Sequence, residues 1–415
     1  EVLGAMVDAL SPSGVQDLAE MVQECCANAT TLEIVAGATK SRLGRPMAAD
    51  RRLNLGALSG IDFYEPDELV LRAGAATPLG EIEEMLDAHA QTLAFEPPDW
   101  RGLLGSVGTA TIGGILATNL SGPRRFRAGA ARDHILGFEG VNGRGEVFRS
   151  GGRVMKNVTG YDLSKLMAGS YGTLGLLAEV TVKVLPRAEK TRTLLLLGLG
   201  PREAVAAMAG AAALPVDISG AAYLPPPLGA GSQVAQVAGV RGAVTALRLE
   251  GTAASVKVRL ARLRAAFPER EMLDLHSRNS QVFWREVRDV TPLAGQSDRV
   301  IWRLSVAPGD APGILESIRA AVAGEYFLDW AGGLLWLAVP SPDAGGAEDG
   351  GAGRIRDVTS RHGGHATLVV APVPLRRAVD PFQPLSPGLA ALTGRIKTAF
   401  DPKGILNPGR LYREV

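Results

Sequence analysis

Cysteine is nearly missing from these 415 residues: the only two, Cys25 and Cys26, are adjacent. A disulfide framework is therefore excluded, and two thiolates are too few for an iron–sulfur cluster held by this chain alone. Such usage fits a reducing, cytoplasmic setting. A dominant charge is also lacking, with 44 basic against 43 acidic residues. That balance removes the electrostatic case for nucleic acid or an anionic membrane surface. No apolar run approaches the length of a membrane span, and no basic stretch followed by a hydrophobic one opens the chain, so direct membrane insertion is not expected. Neither G-x-G-x-x-G after a strand nor G-x-x-x-x-G-K-[ST] occurs. Rossmann dinucleotide binding and P-loop phosphoryl transfer lose their main support.

What is present is glycine, 51 residues of it, in a chain that is 46% apolar. The excess marks loops in a folded protein rather than disorder. At this length two domains are the default. Val15, Leu18, Val22 and Cys25 recur at helical spacing behind Ser13, a candidate cap with Gln16 three residues on. The strand Leu32–Gly37 follows, then a polar loop, the strand ELVLRAG, and a helix opened by Thr77 and Pro78 with Leu79, Ile82 and Leu86 on one face. Beyond Pro186 the character changes, and a domain boundary falls near Arg187. The second part reads as strand, helix, strand, with a hairpin at EYFLDWAGGLLWLAVP, a flexible loop from Pro342 to Arg354, and a final helix from Leu389 to Phe400. Without a strict parallel-sheet rhythm, the expected class is α+β.

Two stretches carry the chemistry: GSVGTATIGGILATNLSG (Gly105–Gly122) and KNVTGYDLSKLMAGSYGTLGLLAEVTVKVLP (Lys156–Pro186). Each places Gly, Thr, Ser and Asn on turns between apolar runs, which lets backbone lie against a flat, phosphorylated ligand. Absent a Rossmann turn, a pyrophosphate has to be held by loop amides. The loop Ala36–Arg42 is the first candidate, although an ordinary turn between strands explains it about as well. Gly105–Asn119 is more specific: Gly108, Gly113 and Gly114 flank Thr109 and Thr111, and amides near Ser106–Thr111 are left free ahead of a helix; tight helix–sheet packing is the plainer reading. The third loop, GSYGTLG (Gly169–Gly175), precedes a strand whose edge amides can meet an adenine; here a simple hairpin is the plainer reading. The three together point to a flavin nucleotide cradle.

IVAGAT, GTATIGGILATN, AGAARDHILG around Arg132 and Asp133, KNVTGYDLSKLMAGSYGTLG and the terminal FDPKGILNPGR resemble the FAD-binding domain of the vanillyl-alcohol-oxidase type. Within it the chain is similar to the family of FAD-binding E subunits of bacterial glycolate oxidases. The resemblance covers about the first 188 residues and the last thirty, and the second part matches more loosely. It implies a two-part FAD-binding domain at 1–188, an α+β cap at 189–380, and a C-terminal segment, 381–415, returning to the first domain. On that resemblance, Gly37, Ala38, Thr39, Lys40 and Ser41 hold the pyrophosphate together with Ser106, Gly108, Thr109, Ala110 and Thr111; Gly114, Thr118, Gly172, Gly175 and Leu177 line the nucleotide; and Asn407 and Arg410 approach the ring. Relatives often carry Lys where Arg410 stands. Covalent relatives carry a His in the first loop where Lys40 or Ser41 stands here, so dissociable FAD is expected. The resemblance further implies glycolate as substrate, with an FAD-linked sister subunit and an iron–sulfur subunit as partners, through which any membrane association would come.

Catalytic candidates are fewer. In VIWRLSV, Val300, Trp302, Leu304 and Val306 share one face and Ile301, Arg303 and Ser305 the other. Arg303 can then clamp a carboxylate with two hydrogen bonds, and a solvated sheet face explains the pattern equally. His134, beside Asp133, is the one histidine worth mutating. No metal site is expected: His362 and His365 lack a third ligand nearby, and a glycine turn accounts for them. Trp330 and Trp336 read as core of the second domain. Three readings stand: an FAD subunit relaying electrons from glycolate in a complex, a self-sufficient FAD-dependent 2-hydroxy acid dehydrogenase, and a structural subunit with an empty cradle.

Overall fold

The computed structural model describes residues 9–152 and 160–413, so the Lys156–Thr159 end of the second signature stretch lies outside the described residues. The helix Val15–Asn28 forms as its periodicity requires, burying Leu18, Ala19, Val22 and Cys25 and ending on Ala29 in the left-handed region. Its start differs from the expected cap. Gly14 holds the N-cap position, and the Ser13 amide and hydroxyl both donate to the Asp17 carboxylate, at 2.8 and 3.0 Å. A carboxylate in the first turn is a strong acceptor, and it draws the Ser13 hydroxyl to itself as a donor, away from the helix amides that a serine cap would accept from. Thr77 is likewise drawn away from the following helix, Leu79–Ala88: its hydroxyl donates to the Gly74 carbonyl at 2.7 Å and accepts from the Gly60 amide.

Four sheets organise the described residues, the smallest an antiparallel pairing of Leu185–Pro186 with Gln91–Thr92. Ala9–Leu10, Arg51–Asn54 and Leu32–Val35 form a small parallel sheet, in that order. Ile61–Glu65, Val70–Gly74, Gly175–Lys183, Ile135–Asn142 and Val147–Gly151 form an antiparallel sheet with Gly175–Lys183 at its centre. The eight-stranded antiparallel sheet runs from Met272–His276 through Lys190–Leu197, Val244–Gly251, Gly220–Leu224, Glu325–Asp329, Leu334–Pro340 and Arg299–Ser305 to His365–Val370. The Glu325–Pro340 hairpin turns on Trp330, Ala331 and Gly332, all at positive φ. From Ala352 the expected flexible loop is instead helix, because Ile355 and Val358 supply a buried face.

The two faces of the large sheet have different company. Val300, Trp302 and Leu304 pack with Leu194, Leu247 and Leu335 in a core closed by helices such as Pro201–Ala213 and Ala311–Arg319. Ile301, Phe327 and Trp336, pointing the other way, share a core with Leu71, Phe95, Ile115 and Val180 from the first half of the chain. The face carrying Arg303 is therefore covered by protein rather than solvated.

Charged groups stitch the same junction. Glu96 accepts two bonds from the Arg248 guanidinium, at 2.8 and 3.0 Å, and one from the Arg124 amide at 2.6 Å. Arg124 in turn pairs with Glu250 at 2.8 and 2.6 Å. Arg248 is only 2% exposed. Burial works against the charged form of Glu96, but Arg124 and Arg248 outweigh it and hold its carboxyl below the usual glutamate range. Such a group contributes stability above that range and loses it as pH falls through it. Glu96→Ala leaves two buried guanidiniums without their shared anion, and a loss of about 3–5 kcal/mol in denaturant unfolding is expected at pH 7, shrinking toward pH 4.

Candidate functional site

The strand Leu32–Val35 delivers a loop whose backbone is unclaimed. Among the described residues, the amides of Ala38, Thr39 and Lys40 donate to no protein acceptor, and Ala38 sits at φ +54°. Successive free amides on such a turn make an anion-binding concavity. The Lys40 side chain lies in the same place, 9% exposed, and its ammonium has a single bond, to the Thr39 hydroxyl at 3.1 Å. Burial pushes its pKa down to about 8, with Asp99 acting upward and Arg101 downward. A buried ammonium with two of its donors idle is costly unless an anion joins it.

The second loop supports the first from behind. A Cβ on Gly37 would lie 1.6 Å from the Thr109 carbonyl oxygen, and one on Gly108 would lie 2.2 Å from the Gly37 oxygen. The two backbones are in contact, which only glycine permits. Ser106 adds a bond from its hydroxyl to the Thr39 carbonyl at 2.8 Å, and the Ala110 carbonyl accepts from the Leu79 amide. Ser106, Gly108, Thr109 and Ala110 thus stand outside the cavity wall. Thr111 caps the helix Ile112–Thr118 by accepting from the Gly114 amide.

The third loop and the C-terminal segment complete the wall. Tyr171, at φ +55°, gives its carbonyl to the Asn407 side-chain amide at 2.8 Å, while the Asn407 oxygen accepts from the Ile34 amide at 2.9 Å. A Cβ on Gly172 would lie 2.8 Å from the Asn407 nitrogen. Arg410 donates to the Lys40 carbonyl at 2.9 Å. Behind them Lys397 places its buried ammonium on Asp401, the Thr173 carbonyl and the Leu406 carbonyl. The strand from Gly175 is central to its sheet rather than an edge strand. Gly175–Leu177 nevertheless run past the end of Val70–Gly74 and are paired on one side only.

Together they bound an open-mouthed cleft of about 880 Å³, solvent at its mouth included. Gly37, Ala38, Thr39, Lys40, Ser41, Thr111, Gly114, Thr118, Gly172, Gly175, Leu177, Asn407 and Arg410 all line it. Sequence reasoning passed over Tyr171 and Ser170, as well as an apolar wall that includes Ile34, Val35, Leu55 and Ala117. Tyr171 had a visible signal, since it sits between Gly169 and Gly172 in a turn.

The catalytic candidates sit differently. His134 does not line the cavity: it is 3% exposed, its Nε2 is 3.0 Å from the Ala128 carbonyl, and its Nδ1 is buried without a partner. Arg303 faces the first half of the chain, its guanidinium 5.1 Å from the centre of the Trp330 ring. Burial lowers its pKa to about 10, with Arg125 acting the same way and Tyr171 and Asp329 opposing. Burial raises the Tyr171 hydroxyl, and the charges of Arg303 and Arg410 pull it back. His362 is 3.7 Å from Asp310 and His365 opposes Ser305 on the outermost strand. Trp330 belongs to the junction as much as to the core: its indole N–H donates to the Gly122 carbonyl at 3.0 Å.

Comparison with known proteins agrees with this geometry. The family model of the FAD binding domain matches residues 9–151. The chain is 35% identical over 400 residues to glycolate oxidase subunit GlcE of Escherichia coli K12, spanning 96% of this chain and 98% of that one. It is 40% identical over 114 residues to glycolate oxidase subunit GlcD of Bacillus subtilis, which is 28% of this chain and 23% of that one. Among solved structures, substrate-bound p-cresol methylhydroxylase superposes with a TM-score of 0.71 at 14% identity, covering 97% of this chain and 88% of that one. An alkyldihydroxyacetonephosphate synthase does so at 0.69 and 14%, covering 96% and 75%. These establish the fold expected from the vanillyl-alcohol-oxidase resemblance.

Gly37→Ala forces the two loop backbones apart and is expected to cost a few kcal/mol of stability, on the order of ~1–3 kcal/mol for overpacking or more, and to abolish ligand retention by the cavity. Gly80→Ala, whose Cβ would meet nothing within 4 Å on the exposed side of the Leu79–Ala88 helix, is expected to be neutral or slightly stabilising. Thermal melts of the two variants check the contrast.

Proposed function

The chain belongs to the family of glycolate oxidase subunit GlcE, as a GlcE-like FAD-binding subunit, and from that premise we propose that it holds FAD non-covalently in the cavity between residues 36–41, 111–118, 170–177 and 407–410. The observation that carries this is the meeting of three unclaimed amides, at Ala38, Thr39 and Lys40, with the half-satisfied Lys40 ammonium. A pyrophosphate supplies the negative charge and the acceptor oxygens that both lack. Ser41 and Thr39 add hydroxyls, and Arg410 keeps a second positive charge at the wall. Lys40 and Ser41 stand where covalent relatives use a histidine, and neither side chain presents an imidazole for a covalent link to the ring.

When bound, FAD supplies hydride acceptance and onward electron transfer. The protein's part is to bind and orient. Asn407 and Arg410 fix the C-terminal segment against the first loop, Tyr171 closes the cavity toward the junction, and Arg303 offers a guanidinium for the carboxylate of a 2-hydroxy acid. In the reading we favour, this chain is one subunit of a glycolate-oxidising complex and works with an FAD-linked sister subunit and an iron–sulfur subunit, since two adjacent cysteines hold no cluster. No helix among the described residues is long and apolar enough to cross a membrane, and we place the subunit in the reducing cytoplasm, with membrane association only through partners. We take residues 1–188 with 381–415 as the FAD-binding domain and 189–380 as the cap.

A second reading, a self-sufficient 2-hydroxy acid dehydrogenase, is favoured by one observation. Arg303 has no carboxylate partner among the described residues, and its charge acts on Tyr171 in the cavity wall. Anaerobic titration of the purified FAD-loaded chain with glycolate decides between them: flavin that stays oxidised until sister subunits are added supports the relay, and bleaching by the chain alone supports the dehydrogenase.

The cofactor assignment has its own pH signature. Lys40 in the free cavity titrates at about 8, and a bound pyrophosphate favours its charged form. FAD affinity is therefore expected to be level below that value and to fall above it, approaching tenfold per pH unit, as binding must take up a proton. Lys40→Met is expected to weaken binding at pH 7 by about 1.5–3 kcal/mol and to flatten the profile, read by fluorescence quenching of FAD.

A further inference from the structure

We propose that Ser106 is a positioning residue for the pyrophosphate of the cofactor: its hydroxyl holds the Thr39 carbonyl so that the Lys40 amide N–H faces the cavity as a donor. The proposal rests on the FAD reading for its ligand and deepens it by giving the second loop a task performed on the first. Ser106 does not line the cavity, whereas Thr39 and Lys40 do. Its effect on a ligand therefore has to pass through them.

Residues 38–41 form a turn in which the Ser41 amide donates to the Ala38 carbonyl at 3.3 Å. The peptide between Thr39 and Lys40 is the central one of that turn, and a flip of this peptide is what separates the two common turn types. The flipped form, type II, needs positive φ at the second central residue, and Lys40 is not at positive φ. In a planar trans peptide the carbonyl and the following N–H point in opposite directions. The Thr39 oxygen points at Ser106, 2.8 Å from its hydroxyl, so the Lys40 N–H points away from the second loop. A flipped peptide would set a carbonyl oxygen where that N–H stands, and an oxygen repels a phosphate where an N–H binds it.

The neighbouring carbonyls have other holders. That of Ala38 takes the Ser41 amide, and that of Lys40 takes the Leu43 amide at 3.0 Å and the Arg410 guanidinium at 2.9 Å. Among the described residues the Thr39 carbonyl accepts from Ser106 alone. Local structure places the hydroxyl for this. The short helix Arg101–Leu104 ends on Gly105 at φ +57°, which reverses the chain and returns the Ser106 amide to the Arg101 carbonyl at 3.1 Å. Arg42 ties the same helix end to the first loop by donating to the Leu104 carbonyl at 2.9 Å, and Gly37 and Gly108 keep the two backbones in contact. Lysine resists the positive φ that a flip demands, so Ser106 reinforces a bias that residue 40 already has.

The test uses the full-length protein freed of FAD, with heavy-nitrogen labelling of its lysines and Lys40→Arg to identify the Lys40 amide resonance. FAD affinity is read by fluorescence quenching. Ser106→Ala is expected to weaken FAD by about tenfold, and Ser106→Thr, which keeps the hydroxyl, to stay within about twofold of wild type. The wild-type Lys40 amide is expected to shift on adding FAD and on adding inorganic pyrophosphate. In Ser106→Ala saturated with FAD it is expected to cover only part of that shift, a signature that general loosening of the fold does not produce. Unchanged FAD affinity in Ser106→Ala overturns the proposal, as does a Lys40 amide that reaches the wild-type bound position in that variant. A wild-type Lys40 amide that neither FAD nor pyrophosphate moves overturns it as well, and that result needs no variant to fold. Wild-type protein whose Lys40 amide answers to pyrophosphate but which binds no FAD removes the cofactor reading and supports the anion-binding turn that Ser106 holds.

Discussion

One asparagine side chain holds the cavity together. Asn407 accepts from the Ile34 amide and donates to the Tyr171 carbonyl, so a single planar amide ties the end of the first parallel sheet to the third glycine-rich loop. Its own backbone amide donates to the Leu32 carbonyl, and its φ of +43° lies in the left-handed region, which asparagine tolerates better than most residues. Each bond is worth about 1 kcal/mol net, but leaving either buried partner unpaired costs more. Everything that lines the cavity depends on the spacing this residue sets. Gly172 approaches it too closely for a side chain, and Lys397 braces the same turn from behind through the Leu406 and Thr173 carbonyls.

Charge is managed in two contrasting ways along the junction between the halves of the chain. Around Glu96, buried arginines are matched to carboxylates and the group is closed. Asp329 feels the charges of both Arg248 and Arg303; burial raises its pKa to about 7, against their pull and that of the Trp330 amide. At Lys40, by contrast, the ammonium makes no ion pair with a carboxylate among the described residues. Closed ion groups fix an arrangement, whereas open ones wait for a ligand. The same chain uses one kind to hold its halves in place and the other to define what enters between them.

The glycine-rich loops were legible in the sequence because the requirement is local. Where Gly37 meets Thr109, or Gly172 meets Asn407, no side chain fits, and the residue type records it. Periodicity likewise placed Val300, Trp302 and Leu304 on one face and Arg303 on the other. It could not say that the second face is covered, since the covering residues, among them Phe95 and Ile115, lie some two hundred positions earlier. The division of labour in the second loop was hidden for the same reason: Ser106 and Thr109 touch the first loop rather than the cavity, which is a matter of which side of one strand-like segment faces out. Ser13 and Thr77 had the right residue types for caps and lost them to better acceptors or tighter turns nearby.

The pairing of Leu32 with Leu406 has a consequence for how the protein is made. The strand that begins the cavity is synthesised early, and the segment that finishes it comes after the entire large sheet. During translation at roughly 5–20 residues per second, the first parallel sheet waits on the order of tens of seconds with an apolar edge uncovered. The wall of the cavity is therefore complete only once residues 407–410 have emerged and folded back. The nascent intermediate, with its cradle open, is the species that chaperones and proteases would meet first.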